Sequence, residues 1–179
     1  MAADNFESCL ALTLRFEGGY SDHPADPGGA TNMGVTRATL ALARGRPVSK
    51  AEVRALTRAE AAEIYKARFW HPVGGDLLAP GLDAAVFDYA VNSGPARASR
   101  ALQQILGVGA EEGVGPRTLA ALAKAEPRKI IWTLSRAREG FLERLRTFRV
   151  FGRGWRARVD AVEVAALDMA RRAGAHIST

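Results

Sequence analysis

At 179 residues the chain can build one good core, or two closely packed lobes, and is too short for two roomy domains. Its 47% hydrophobic and 25% charged content is ordinary for a soluble globular protein, and no run approaches the roughly 18 apolar residues of a membrane span. The net charge of +6 is lopsided: residues 1–80 carry 9 Lys and Arg against 9 Asp and Glu, residues 81–179 carry 16 against 10, so the second half is expected to meet a polyanionic partner.

In chain order, Asp4 and Glu7 have the spacing of a capping box, and Phe6, Cys9, Leu10, Leu12, Leu14 and Phe16 give the following helix a wide apolar face. The acid near the start, and Thr13 and Arg15 in the apolar run, do not fit a secretory signal. Cys9 is the single cysteine, which excludes a disulfide framework and reads as a buried thiol. Gly18 and Gly19 stop the helix, and Tyr20 to Val35 is too rich in Gly, Pro and Asp for another. A loop with a short hairpin is expected there, the only β-structure in a mainly α fold. Thr36 caps the next helix; Ser49 with Glu52 and Thr57 with Glu60 mark two more, the second running through Ile64, Tyr65 and Phe69 toward Pro72.

Gly74-Gly75-Asp76 to Pro80-Gly81 divides a first segment, 1–80, from a second, 81–179, with both packed into one compact unit. Beyond it Leu82, Val86, Tyr89 and Ala90 mark a helix, Ala98 to Leu106 another that ends at Gly107, and Pro116 opens a short third. Pro127 opens what should be the longest helix, with Ile130 to Phe148 as its apolar stripe. Its arginines Arg136, Arg138, Arg144, Arg146 and Arg149 form a solvated, substrate-attracting face that continues to Arg158. Phe151-Gly152-Arg153-Gly154-Trp155 is expected to break the pattern before a last helix with Val159, Val162, Ala166 and Met169.

The glycine-dense loop carries the chemistry. Glu17, beside Phe16 and Tyr20, stands where partial desolvation raises a carboxyl's pKa and lets it serve as a general acid, and an acid at a helix C-terminus opposes the macrodipole and so has a task. Asp26 sits in a polar Pro-Gly turn suited to an ionised carboxylate, with Asp22 as its rival. Thr31 is either a hydroxyl that holds water or sugar, or an ordinary strand residue. Gly18, Gly19, Gly28 and Gly29 leave room for a close approach of substrate, and Tyr20 lines the cleft. Trp70 and Trp155 are sugar platforms or core, and Asn92 is a helix cap or a glycan ligand. His23, His71 and His176 have no ligand spacing, so no metal is expected. Two carboxyls in contrasting surroundings are what glycoside hydrolysis requires.

Glu17-Gly18-Gly19-Tyr20, followed by Pro24, Asp26, Gly28-Gly29, Thr31 and Gly34-Val35-Thr36, resembles the signature of the glycoside hydrolase family 108 muramidases of bacteria and phages. Phe87 to Pro95, Leu102-Gln103 and Gly113 to Leu119 resemble the peptidoglycan-binding segment that follows in that family. The nine-residue step from Glu17 to Asp26 is also similar to phage-type lysozymes, with Thr31 one residue closer to Asp26 than in their pattern. The resemblance implies a lysozyme-like helical fold with a hairpin at the cleft. It implies hydrolysis of the β-1,4 bond between N-acetylmuramic acid and N-acetylglucosamine without a cofactor. Glu17, Asp26 and Thr31 would form the catalytic set, and Gly19, Tyr20, Asp22, Trp70 and Asn92 would meet the glycan. A monomer made in the cytoplasm and admitted to the periplasm by a holin or transporter is the expected setting, in phage lysis or in secretion. A lytic transglycosylase is the nearest alternative and a non-catalytic wall-binding module the next; no nucleic-acid motif is present.

Overall fold

Helix α1 (Phe6–Leu14) buries Phe6, Cys9, Leu10, Leu12 and Thr13, and it starts without a side-chain cap because Asn5 donates instead to Asp83 Oδ2 at 2.9 Å. The computed structural model describes residues 5–22 and 29–175. The Asp4 cap, His23, Asp26, Gly28 and His176 therefore lie outside the described residues. After Leu14 the backbone N–H groups of Arg15, Phe16 and Glu17 bond back to Leu12, Thr13 and Leu14, a tightened last turn that Gly18 ends in the left-handed region at φ 68°.

The hairpin is minimal. Strand β1 (Thr31–Asn32) pairs antiparallel with β2 (Val35–Thr36), Thr31 opposite Thr36 and Asn32 opposite Val35. Its two-residue turn places Met33 at φ 48° and Gly34 at φ 73°, the left-handed pair that fits the twist of a tight hairpin. Ser21 exchanges two 2.8 Å backbone hydrogen bonds with Thr31, and the Asn32 amide donates to Val53 and Arg54 carbonyls, tying the hairpin to its neighbours.

Thr36 caps α2 (Arg37–Arg44) by accepting from the Thr39 N–H, and Ser49 and Glu52 form a reciprocal capping box on α3 (Lys50–Arg54). Thr57 caps α4 (Arg58–Tyr65) through the Glu60 N–H, but Glu60 does not reach back, because Arg44 holds its carboxylate in a two-pronged pair. The chain continues as a π-helical turn, Lys66–Trp70, and two short 3₁₀ turns, His71–Val73 and Gly75–Leu77.

Trp70 is only 1% exposed. Its ring meets Phe6 and Phe87 edge-on at 5.3 and 5.5 Å, its Nε1 donates to Asp76, and a Cβ on Gly75 would overlap the indole. Of its two expected roles the core one holds, and no ring face is left for a sugar.

Helix α5 (Leu82–Ser93) is the axis of the molecule: Leu82 to Ala90 are all buried, and α1, the π-helical turn, α6 (Pro95–Leu106), α8 (Pro127–Glu143) and α9 (Phe148–Ala175) all pack on it. The short α7 (Pro116–Leu122) leans on α6.

The C-terminal helices differ from the sequence expectation. α8 stops at Glu143 instead of reaching Phe148, and α9, not α8, is the longest, running 28 residues straight through Gly152 and Gly154. Packing outweighs the low helix propensity of glycine here. Gly152 is where the Phe148 ring lies, Phe151 and Trp155 pack at 5.8 Å, and Arg156 bonds Glu143 across the α8–α9 joint at 2.6 Å.

Candidate active site

Asp88, fully buried at the centre of α5, gathers four helices. Thr13 of α1 donates to its Oδ1 at 3.0 Å, Arg138 of α8 to its Oδ2 at 2.8 Å, and Arg158 of α9 grips both oxygens through Nε and Nη2. Burial alone would push this carboxyl up, but the two guanidiniums outweigh it and hold Asp88 below the usual carboxylate range. Arg138 and Arg158 are 3% and 8% exposed, so they are not part of the solvated arginine face expected of them. Each sits in register with an apolar stripe, Arg138 with Leu134 and Leu142, and Arg158 with Val162 and Ala166. A cation at core spacing, with an acid buried between Phe87 and Tyr89, is the signal that could have found this cluster.

The cluster opens outward at one point. Arg158 Nη1 reaches Glu17 Oε1 at 2.8 Å, and the Glu17 side chain is 20% exposed. Its carboxyl is therefore held by an arginine and is not left in the apolar surroundings anticipated from Phe16 and Tyr20. Phe16 does approach the site, lying 5.3 Å below the Arg158 guanidinium. On the other side the hairpin turn closes in. A Cβ on Gly34 would stand 2.8 Å from Glu17 Oε2 and overlap the Tyr65 hydroxyl, so only glycine fits there. That hydroxyl donates to the Met33 carbonyl at 3.0 Å, and burial, followed by the nearby Glu17 charge, pushes the Tyr65 phenol up. Tyr65 thus props the turn against Glu17.

The other residues singled out from the sequence fall around this point. Gly19 borders open space. Tyr20 lies under the Arg54 guanidinium at 4.4 Å, and Asp22 pairs with Lys50 at 3.1 Å. Thr31 sits in β1, where its hydroxyl donates to the Gly29 carbonyl at 3.2 Å. Asn92, in the last turn of α5, accepts from Ser93 and is partly exposed. Asp26 lies outside the described residues, as does any distance between it and Glu17. Cys9 is 1% exposed, and burial followed by the charge of Asp83 pushes its thiol up, which makes it inert. Among the described residues no group of three or more His, Cys, Asp or Glu is arranged to hold a metal, and no helix is long and apolar enough to cross a membrane.

A partly exposed carboxyl with a fixed arginine partner, set against a glycine turn, is suited to proton transfer. Residues 10–94 match the glycosyl hydrolase 108 family, a stretch that runs from α1 to the end of α5 and includes Glu17, the hairpin and Asp88. The chain is similar to SagA from Brucella abortus, a solved structure with 48% identity and a TM-score of 0.84, over 93% of this chain and 96% of that one. No curated protein matches. With nearly half of its residues shared with SagA over almost its full length, and the family match covering Glu17, the hairpin and Asp88, the chain belongs to the glycosyl hydrolase 108 family.

Proposed function

We propose that this glycoside hydrolase is an N-acetylmuramidase that cleaves the β-1,4 bond between N-acetylmuramic acid and N-acetylglucosamine in peptidoglycan, with Glu17 as its general acid. The observation that carries the reading is the placing of Glu17 as the only member of the Glu17–Arg158–Asp88–Arg138 network that is more than a tenth exposed. A glycosidase acid must be reachable and held in one orientation at once. Arg158 supplies the orientation by fixing Oε1, which leaves Oε2 to deliver the proton to the leaving oxygen. Once the proton has gone, the remaining carboxylate faces a guanidinium already in place, so the charge that develops on Glu17 is stabilised without rearrangement.

Asp26 is the second carboxylate of this proposal. If it activates water on the opposite sugar face, as in inverting enzymes, a carboxyl separation of about 6.5–9.5 Å is required; a nucleophile would need about 5–5.5 Å. Asp22, the rival, already has an ionic partner in Lys50. The cell wall is then the place of action.

Mass spectrometry of fragments released from purified sacculi tests the reaction. Muropeptides with reducing muramic acid ends are expected. Ends in 1,6-anhydro form would instead make the enzyme a lytic transglycosylase, which needs the acid alone.

A further inference from the structure

Between α5, α6 and α8 lies a groove of about 690 Å³ that the proposed reaction does not use. Its lining includes Arg97, Arg100, Arg136 and Arg144 and no Asp or Glu. Arg136 is neutralised by Glu139 and Glu163 at 2.7 and 2.6 Å. Arg97, Arg100 and Arg144 are exposed and pair with no carboxylate among the described residues; Arg97 lies 4.0 Å over the Phe141 ring. Tyr89, only 2% exposed, also lines the groove, and its hydroxyl has no hydrogen-bond partner among the described residues. Helix α6 opens at the same place with Gly94 and Pro95 and has no side-chain cap among the described residues. Three guanidiniums without a carboxylate partner, a hydroxyl and a helix start around one concavity make a surface complementary to an anion.

The geometry points to this groove as a carboxylate-binding site for the peptide stem of peptidoglycan, an inference that rests on the substrate class proposed above. Guanidinium groups match planar carboxylates in two-pronged pairs, and a stem carries several carboxylates along a chain flanked by small alanines. Both features have their counterpart here: Arg97 and Arg100 stand one turn apart on α6, Arg144 lines the groove from just past the end of α8, and Ala96, Ala101, Ala137 and Gly140 keep the floor shallow. The groove also adjoins the proposed acid's network. Arg138, which binds Asp88, lies 5.4 Å over the inner face of the same Tyr89 ring. A stem bound here would hold the glycan strand near Glu17 while the strand's sugars react.

Calorimetric titration of the whole protein with a free stem tetrapeptide, alanine, γ-linked glutamate, diaminopimelate and alanine, tests the site without any glycosidic bond in the experiment. The outcome is thus independent of whether the muramidase reading holds. Saturable binding is expected, weakened at least about tenfold when the peptide's carboxylates are amidated and again by Arg100→Gln or Arg144→Gln, a factor in keeping with a lost charge-assisted contact. Both side chains are exposed and without ionic partners, so folding should be unaffected, and unchanged thermal unfolding checks this. Arg68→Gln, with its charge on another face, should bind the peptide like the unmodified chain. Equal binding of the amidated peptide, undiminished binding by both groove variants, no binding at all, or inorganic phosphate binding as tightly as the peptide would each overturn the proposal.

Discussion

Gly34 and Glu17 show how closely backbone and chemistry are matched at single residues. Gly34 has φ 73° and no space for a Cβ between the Tyr65 hydroxyl and Glu17 Oε2. Gly34→Ala must either leave the left-handed region, whose cost for other residues is about 1–2 kcal/mol, or push Glu17 off Arg158. Its activity on sacculi should fall by at least about tenfold while the far-UV spectrum stays helical; full activity would mean that the turn does not position the acid. The two candidate second carboxylates separate in the same way. Asp26→Asn is expected to remove most activity and Asp22→Asn, which breaks only a partly exposed pair with Lys50, to cost little. The reverse order in a turbidity assay would move the role to Asp22.

Among the elements, α9 departs most from its sequence pattern and contributes the arginine on which the site depends. Gly152 and Gly154 look alike in sequence, but a Cβ on Gly152 would lie 2.8 Å from the Phe148 ring, whereas nothing lies within 4 Å of one on Gly154. Gly154→Ala should therefore stabilise the protein by roughly 0.5–1 kcal/mol, the usual gain in a helix interior, and Gly152→Ala should not. Chemical denaturation measures both, and equal gains would contradict the packing described. Elements with local signals were legible in the sequence: the caps at Thr36, Ser49 and Thr57, the prolines that open α7 and α8, and the glycine-rich hairpin. The place of Glu17, just past the end of α1 and before the turn at Gly18, was legible as well. Arg138, Arg158 and Asp88 were not, because a charged residue in a helix looks solvated until its partner from another helix is known. Tyr65 was legible as a helix residue only; its contact with Met33 spans 32 positions.

At the scale of the whole molecule, one buried charge cluster joins α1, α5, α8 and α9, so the proposed active site and the core share a foundation. Asp88→Asn leaves two buried guanidiniums undercompensated and is expected to destabilise by about 3–5 kcal/mol. The same group gives a pH signature. Because the folded chain holds Asp88 below the ordinary carboxylate value, the unfolded chain takes up its proton first as pH falls. Its contribution to stability is fully present above about pH 4, the unfolded value, and is lost as pH drops through the lower folded one. Melting temperatures of Asp88→Asn should decline less steeply than those of the unmodified chain below about pH 4. Parallel curves would show that Asp88 is not held ionised by Arg138 and Arg158.

The assignment of Glu17 as the proton donor is tested most directly by one substitution. Glu17→Gln preserves size and can still accept from Arg158 Nη1, but it cannot protonate a glycosidic oxygen. Clearance of outer-membrane-stripped cells by the purified, folded variant should fall by on the order of 10²-fold or more, the scale of general acid catalysis. Clearance near that of the unmodified protein would contradict the account.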